Sequence, residues 1–188
     1  MKEYKLPIGC DVPETIILAD GDFPSHPLAL EWLRQCPYVV CCDGAANTYI
    51  RSGRMPEAIV GDGDSLLPDI KERYASLIHS EAEQETNDLS KAFRFCLSQE
   101  RKRITIMGAT GKREDHTIGN VSLLADYMEQ AEVSMMTDYG IFVPIREDSM
   151  FESYIGQQIS VFNMNSTALS AEGLAYPLSV FTNGGKGL

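Results

Sequence analysis

The chain has 188 residues, 44% of them hydrophobic, which is enough to bury a real core as one domain or two small ones and too apolar for a disordered segment. Its formal net charge of -11 argues against nucleic acid as a partner, because affinity for phosphate backbones comes from clustered Lys and Arg; a cationic small molecule suits it, and an anionic one needs a local basic spot. The five cysteines (Cys10, Cys36, Cys41, Cys42, Cys96) form no C-x-x-C pair and no zinc spacing, no apolar run approaches the roughly 18 residues of a membrane span, and the N-terminus lacks a signal-peptide core, so a cytoplasmic protein with reduced thiols is expected.

In chain order, Thr15 to Asp20 (TIILAD) is an apolar run that stops at Asp20-Gly21, and Pro27 to Gln35 follows with helical spacing through Leu30 and Leu33. Tyr38 to Asp43 (YVVCCD) repeats the pattern, stopping at Asp43-Gly44 before a helical Ala45 to Ser52. Ala58 to Asp62 is the third run, and Leu77 to Ser80 a shorter strand. Thr86 to Gln99 sets Leu89, Ala92, Phe93 and Cys96 on one helical face, with Thr86 or Asn87 as N-cap and Asp88 in the first turn. Arg103 to Met107 (RITIM) is a strand, Gly108 to Gly111 turns the chain, and Asp115 caps a helix whose predicted apolar face is Ile118, Val121, Leu124, Ala125 and Met128.

Strands alternating with helices imply a parallel sheet buried on both faces, hence strands that are apolar runs and not alternations. Each run ends in glycine and usually aspartate, at Asp20-Gly21, Asp43-Gly44, Gly61 to Asp64 and Gly108 to Gly111. Ligands in open α/β sheets bind outside the carboxyl ends of the strands, so these loops are expected to converge on one crevice. From Ala131 the pattern changes to short strands, at Val133 to Thr137, Gly140 to Ile145, Met150 to Tyr154, Ile159 to Met164 and Thr167 to Leu169. The expectation is an α/β domain over residues 1–130 and a small antiparallel β unit over 131–188 that needs a partner surface, met by a C2 homodimer.

The stretch Ile59 to Ser65 (IVGDGDS) carries the clearest chemistry. In an extended chain Asp62 and Asp64 point to the same side, and oxygen ligands without histidine or cysteine suit a hard cation such as Mg²⁺. A plain turn is the alternative, since Gly, Asp and Ser favour turns for local reasons. A calcium loop of the EF-hand type is excluded by Leu67 and Arg73 at its sixth and twelfth positions. The turn Gly108 to Arg113 (GATGKR) is not a Walker A loop, because Ile106 stands where its first glycine belongs; it is a glycine turn at a helix N-terminus with Lys112 and Arg113 beside it. Asp88 reads either as a first-turn helix charge or as a third metal carboxylate, and Asp115-His116 either as acid-base chemistry or as a cap beside a hydrogen-bonded histidine. His26 and His79 read as ordinary, and Trp32 and Tyr49 as packing residues.

These motifs, CDGAAN at Cys42 to Asn47, GDGDS at Gly61 to Ser65, QETND at Gln84 to Asp88, GATGKREDHTIGN at Gly108 to Asn120 and EGLAYPL at Glu172 to Leu178, stand in an order that resembles the thiamin pyrophosphokinase family. The resemblance implies a Rossmann-like α/β catalytic domain followed by a β-sandwich domain, a homodimer, and Mg²⁺-dependent transfer of the pyrophosphoryl group of ATP to the hydroxyl of thiamin. It matches Asp62, Asp64 and Asp88 to Mg²⁺-handling carboxylates, and Asp43, Gly44, Asn47, Gln84, Thr86, Arg113, Asp115 and His116 to the nucleotide and phosphate surroundings. Asp62, Asp64, Asp88, Arg113 and Asp115 are then the expected catalytic set. In-line attack on phosphorus needs positioning and charge neutralisation more than covalent help. Two departures stand out: Lys112 occupies a position where the family often has glycine, and after the YPL segment the sequence stops at Leu188, so no thiamin contacts are assigned. A metal-dependent phosphohydrolase using the same aspartates, and a nucleotide-binding module without turnover, are the competing classes.

Overall fold

The computed structural model of the protein describes residues 1–7, 11–80, 86–164, 169–176 and 178. They divide into two compact units, residues 1–151 and 152–188. The first holds strands β1 (Lys2–Tyr4), β2 (Thr15–Leu18), β3 (Val39–Cys42), β4 (Ala58–Gly61), β5 (Ile78–Ser80), β6 (Arg103–Met107), β7 (Glu132–Met136), β8 (Ile141–Phe142) and β9 (Ser149–Phe151). Its helices are α1 (Pro27–Gln35), α2 (Ala45–Arg51), α3 (Pro68–Arg73), α4 (Asp88–Ser98) and α5 (Glu114–Tyr127).

The main sheet runs β5-β4-β3-β2-β6-β7-β8, parallel throughout except for the β7–β8 pair. β2 lies at its centre, where the order switches direction and a crevice opens outside the strand ends of β2 and β6. Successive residues along β2 go to opposite faces. Ile17 joins Val40, Val60, Ile104 and Ile106 under α4 and α5, with Phe93, Leu124 and Tyr127. Ile16 and Leu18 join Val39, Cys41 and Ile59 under α1, α2 and α3, with Trp32, Leu33, Tyr49 and Ile70. Burying one such aliphatic or aromatic side chain contributes about 1.5–3 kcal/mol, so the doubly covered strands hold the sheet edge rigid. Trp32 and Tyr49 are packing residues, as expected.

Local chemistry explains the helix ends. The His26 imidazole accepts the Leu28 amide ahead of Pro27 and so caps α1, a function its isolated place in the sequence does not announce. Asn87 caps α4 by accepting the Ser90 amide, which leaves Asp88 in the first turn. At α5 the cap position belongs to Arg113, not to Asp115, which lies one residue inside the helix; acidic side chains suit that first turn as well as a cap does. The predicted face of α5 holds at Leu124, which is buried, and at Val121 and Met128, which pack against the same core, but Ile118 is 72% exposed; Asn120 and Tyr127 are buried as well, Tyr127 stacked on Phe93 with ring centroids 3.9 Å apart.

The expected boundary at Ala131 separates residues that fold together. Val133 to Met136 lie in β7, parallel to β6 from Arg103↔Glu132 to Met107↔Met136, and extend the first sheet. β8 closes that sheet antiparallel, and β9 pairs with β1 at the N-terminus. In the second unit, the run Ile159 to Met164 expected as a strand has no regular structure, and the Thr167 to Leu169 run lies mostly outside the described residues. Cys36, Cys41, Cys42 and Cys96 are free thiols, the last three buried in the sheet and under α4. Among the described residues no helix is long and apolar enough to cross a membrane.

Candidate active site

The carboxyl ends of β2, β3, β4 and β6 meet at one edge of the first unit. Asp43 follows β3 directly, its amide bonded to the Val60 carbonyl at 2.9 Å, its backbone in the left-handed region at φ 24° and its surface 3% exposed. Its Oδ2 accepts the Ser65 amide at 3.1 Å, while its Oδ1 is buried without a partner. Asp62 and Asp64 follow β4 on the other side of that carboxyl. The Asp64 amide donates to Asp62 Oδ1 at 3.1 Å, and the Ser65 hydroxyl donates to Asp64 Oδ1 at 3.0 Å, so the turn and the display of carboxylates are one structure.

Oxygens of Asp43, Asp62 and Asp64 can all lie within 4.8 Å of one another. An oxygen-only donor set with one orphaned buried oxygen fits a hard divalent cation. Burial raises the Asp43 carboxyl to about 6, opposed by the Ser65 amide and assisted by Asp64, Asp88 and Asp62. Asp62 is lowered, first by the Asp64 amide and also by the Lys91 cation.

Asp88 comes to the same place from α4. A Cβ added to Gly61 would stand 3.3 Å from the Asp43 carboxyl carbon and 3.4 Å from that of Asp88, so both lie against this glycine's backbone. Asp88 Oδ1 accepts from the Lys91 ammonium at 3.1 Å, and Lys91 is 4% exposed. A buried lysine needs a charge partner, so the pair fixes Asp88 while leaving its second oxygen available. Lys91 is a buried partner of Asp88 that sequence reasoning missed. Its signal is i,i+3 spacing from Asp88 on a helix face otherwise apolar, through Leu89, Ala92, Phe93 and Cys96.

The remaining expected residues divide. Gly44 opens α2 where a Cβ would stand 2.6 Å from Asp20 Oδ2, so a side chain there would push the Asp20 carboxylate aside. Asn47 donates to the Ser65 carbonyl at 2.8 Å and accepts the Leu67 amide at 3.0 Å, clamping the exit of the aspartate loop. The Lys71 ammonium holds the Gly63 carbonyl at 2.7 Å from α3. Thr86 accepts from Arg94 at 3.1 Å, and Gln84 lies outside the described residues. Arg113 and Asp115 are engaged with each other at the exposed start of α5, through Nη2 to Oδ2 at 2.5 Å and Nε to Oδ1 at 3.1 Å, and the guanidinium lowers the Asp115 carboxyl. His116 is exposed in the same turn.

Two braces that the sequence did not announce tie these loops together. Asn120, 8% exposed, accepts from Asn87 at 3.1 Å and donates to the Ala109 carbonyl at 2.8 Å, joining the α4 cap to the β6 loop. Asp138, just after β7, accepts the Ser25 and His26 amides at 2.9 Å and the Ser25 hydroxyl, fixing the chain before α1. A cavity of about 70 Å³ lies in the crevice outside β2, β6 and β7, lined by Asp22, Pro24, Thr110, Thr137, Asp138 and Tyr139.

Comparison with known proteins finds relatives of the chain itself. A family model described as the catalytic domain of thiamin pyrophosphokinase matches residues 29–136, and one described as the substrate-binding domain of that enzyme matches residues 140–187. Thiamine pyrophosphokinase 1 of Oryza sativa subsp. japonica is 30% identical over 129 residues, 55% of this chain and 49% of that protein. Thiamine pyrophosphokinase of Bacillus subtilis (strain 168) is 34% identical over 86 residues, 44% of this chain and 40% of that protein. The crystal structure of thiamin pyrophosphokinase from Geobacillus thermodenitrificans superposes with a TM-score of 0.54 at 26% identity, over 65% of this chain and 58% of the other. The yeast enzyme, at a TM-score of 0.55 and 17% identity over 72% and 63%, shares the fold. The chain spans about half the length of the curated relatives it matches.

Proposed function

The chain belongs to the thiamin pyrophosphokinase family, and from that membership we propose that it transfers the pyrophosphoryl group of ATP to thiamin in a Mg²⁺-dependent reaction. The thiamin hydroxyl oxygen forms a bond to the β-phosphorus, the bond from that phosphorus to the oxygen bridging toward the α-phosphorus breaks, AMP leaves with the electron pair, and the hydroxyl proton passes to solvent or to a base. The observation that carries this reading is the convergence of Asp43, Asp62 and Asp64 at the carboxyl edge of a parallel sheet, in the part of the chain that matches the catalytic model.

Asp62 and Asp64, with Asp88 and Asp43 beside them, would hold the cation, which when bound supplies charge neutralisation for the phosphates. The chain's own residues supply the positioning. Lys91 orients Asp88, Asn47 and Lys71 fix the aspartate loop, and Gly44 leaves room for the Asp20 carboxylate. Thr86, Gln84, Arg113, Asp115 and His116 complete the proposed nucleotide surroundings, with Arg113 leaving Asp115 for phosphate, a partner its fork fits equally well.

Residues 152–188 are proposed to form part of a β-sandwich substrate-binding half, and the working assembly to be a cytoplasmic homodimer; the match of the substrate-binding model over residues 140–187 supports the first. Light scattering at micromolar concentration checks the dimer, and a fully active monomer refutes it. The activity is tested by coupled detection of AMP with Mg²⁺ and ATP. Release that requires thiamin and is abolished by EDTA is expected. Thiamin-independent phosphate release would replace this reading with a phosphohydrolase, and nucleotide binding without turnover would replace it with a binding module.

A further inference from the structure

Lys112 has a backbone conformation and a side-chain placement that stability does not account for. It stands at φ 57°, directly after Gly111 at φ 78°, in the left-handed region that side chains other than those of Asn and Asp rarely adopt. From there its ammonium reaches the loop after β2, 2.9 Å from the Asp20 carbonyl and 3.2 Å from Asp20 Oδ1. The two loops have no need of this link. Their main chains are already joined by Gly21 N–H to the Gly108 carbonyl at 2.6 Å and Asp22 N–H to the Thr110 carbonyl at 2.8 Å. The ion pair is also half exposed, 54% at Lys112 and 48% at Asp20, where such pairs contribute little. A strained residue kept for a redundant contact points to function.

Its position says which function. Asp20 Oδ2 stands 2.6 Å from where a Gly44 Cβ would be, so the ammonium rests beside the loop that carries Asp43. The other cations of this edge are committed: Lys91 is buried on Asp88, Lys71 holds the Gly63 carbonyl, and Arg113 is engaged with Asp115 at the start of α5. Lys112 has solvent access and a weak hold, and it sits in the loop after β6, next to the β2–β6 switch point of the sheet.

We propose that Lys112 is a phosphate-binding residue held in reserve, paired with Asp20 and drawn to a phosphate oxygen when a nucleoside polyphosphate arrives, so that Asp20 and the ligand compete for one ammonium. The proposal rests on the nucleotide reading above and adds to it a cation at a position where the family pattern often has glycine.

The test is calorimetric titration of the whole chain with the Mg²⁺ complex of α,β-methylene-ATP, which cannot be cleaved at the bond in question, at low and high salt. Losing a hydrogen bond to a charged group predicts about 10- to 100-fold weaker binding for Lys112→Gly, with a flatter salt dependence. The same variant is expected to melt, ligand-free, at the temperature of the unaltered protein or above it, because the strain is relieved. Lys112→Arg should bind nearly as well as the unaltered protein. Asp20→Asn should bind more tightly, and that gain should shrink in Asp20→Asn/Lys112→Gly. Equal binding by Lys112→Gly, a lower ligand-free melting temperature for it, or an Asp20→Asn gain that persists in the double variant would each overturn the proposal. If the unaltered protein binds no analogue, the nucleotide reading fails and the proposal with it; if it binds and only the Lys112 effects are missing, the proposal alone fails.

Discussion

Asp43→Asn removes one negative charge from the sheet edge and keeps its shape. The asparagine oxygen can still accept the Ser65 amide. In the folded protein burial raises this carboxyl from 3.8 to about 6. A carboxyl raised on folding binds its proton more tightly folded than unfolded, so its contribution is fully present below about pH 4 and is lost as pH rises through about 6. The gap between those values corresponds to about 3 kcal/mol, and solvent at the cleft mouth reduces it to about 1–2 kcal/mol. The metal-free variant is therefore expected to exceed the unaltered protein in stability by that amount at about pH 7.5, with the two converging toward about pH 4. Asp62, Asp115 and Asp138 do not blur this window, because their carboxyls are lowered and their contributions fade only at more acid pH. The assay is denaturant unfolding in EDTA at stepped pH. Added Mg²⁺ should then stabilise the unaltered protein more than the variant. A variant equal to the unaltered protein at every pH, or less stable at neutral pH without metal, would show that this edge is not a strained, cation-seeking cluster.

Asp64→Asn keeps the turn and removes a charge where negative charge accumulates during transfer, so turnover in the AMP assay should fall by about 10² to 10³ while ligand-free stability holds or rises; near-normal turnover with an unchanged Mg²⁺ requirement refutes the assignment. Asn120→Leu strands the Ala109 carbonyl and the Asn87 amide group, and the loss should be about 1–3 kcal/mol in denaturant unfolding; an unmoved midpoint would mean the brace between α4 and the β6 loop is dispensable.

Much of this fold was legible because its strands are short runs that must be dry on both sides. TIIL, VVCC, AIVG and RITIM each match an observed strand, and the acidic turns after them share one edge as the parallel topology requires. What escaped depends on distant partners or on too few residues. β1 and β9 are three residues each and exist only by pairing across almost the whole first unit. α3 carries a proline at its start, Asp69 in its first turn and Lys71 and Arg73 in its last, which is a helix signature, but Ile70 is its one buried residue and no periodicity develops. β7 was assigned to the wrong sheet because EVSMM says that it is a strand without saying whose neighbour it is. Within the site, Asp62 and Asp64 were found from their spacing. Convergence of Asp43 with them was expected from the parallel topology; that its carboxyl oxygens come within 4.8 Å of theirs depends on the β3–β4 register, and a sequence does not print register.

The buried cysteines carry a practical consequence. Burial pushes the thiols of Cys41 and Cys42 far above their ordinary value and that of Cys96 up to about 12, so at neutral pH these thiols stay protonated and unreactive. An alkylating reagent must wait until the sheet opens, and the rate at which these thiols react then measures how often the first unit comes apart. Any compound that settles on the folded edge slows that reaction in proportion to its occupancy. The interior thus carries its own clock, one that runs without turnover and tests each candidate ligand by itself.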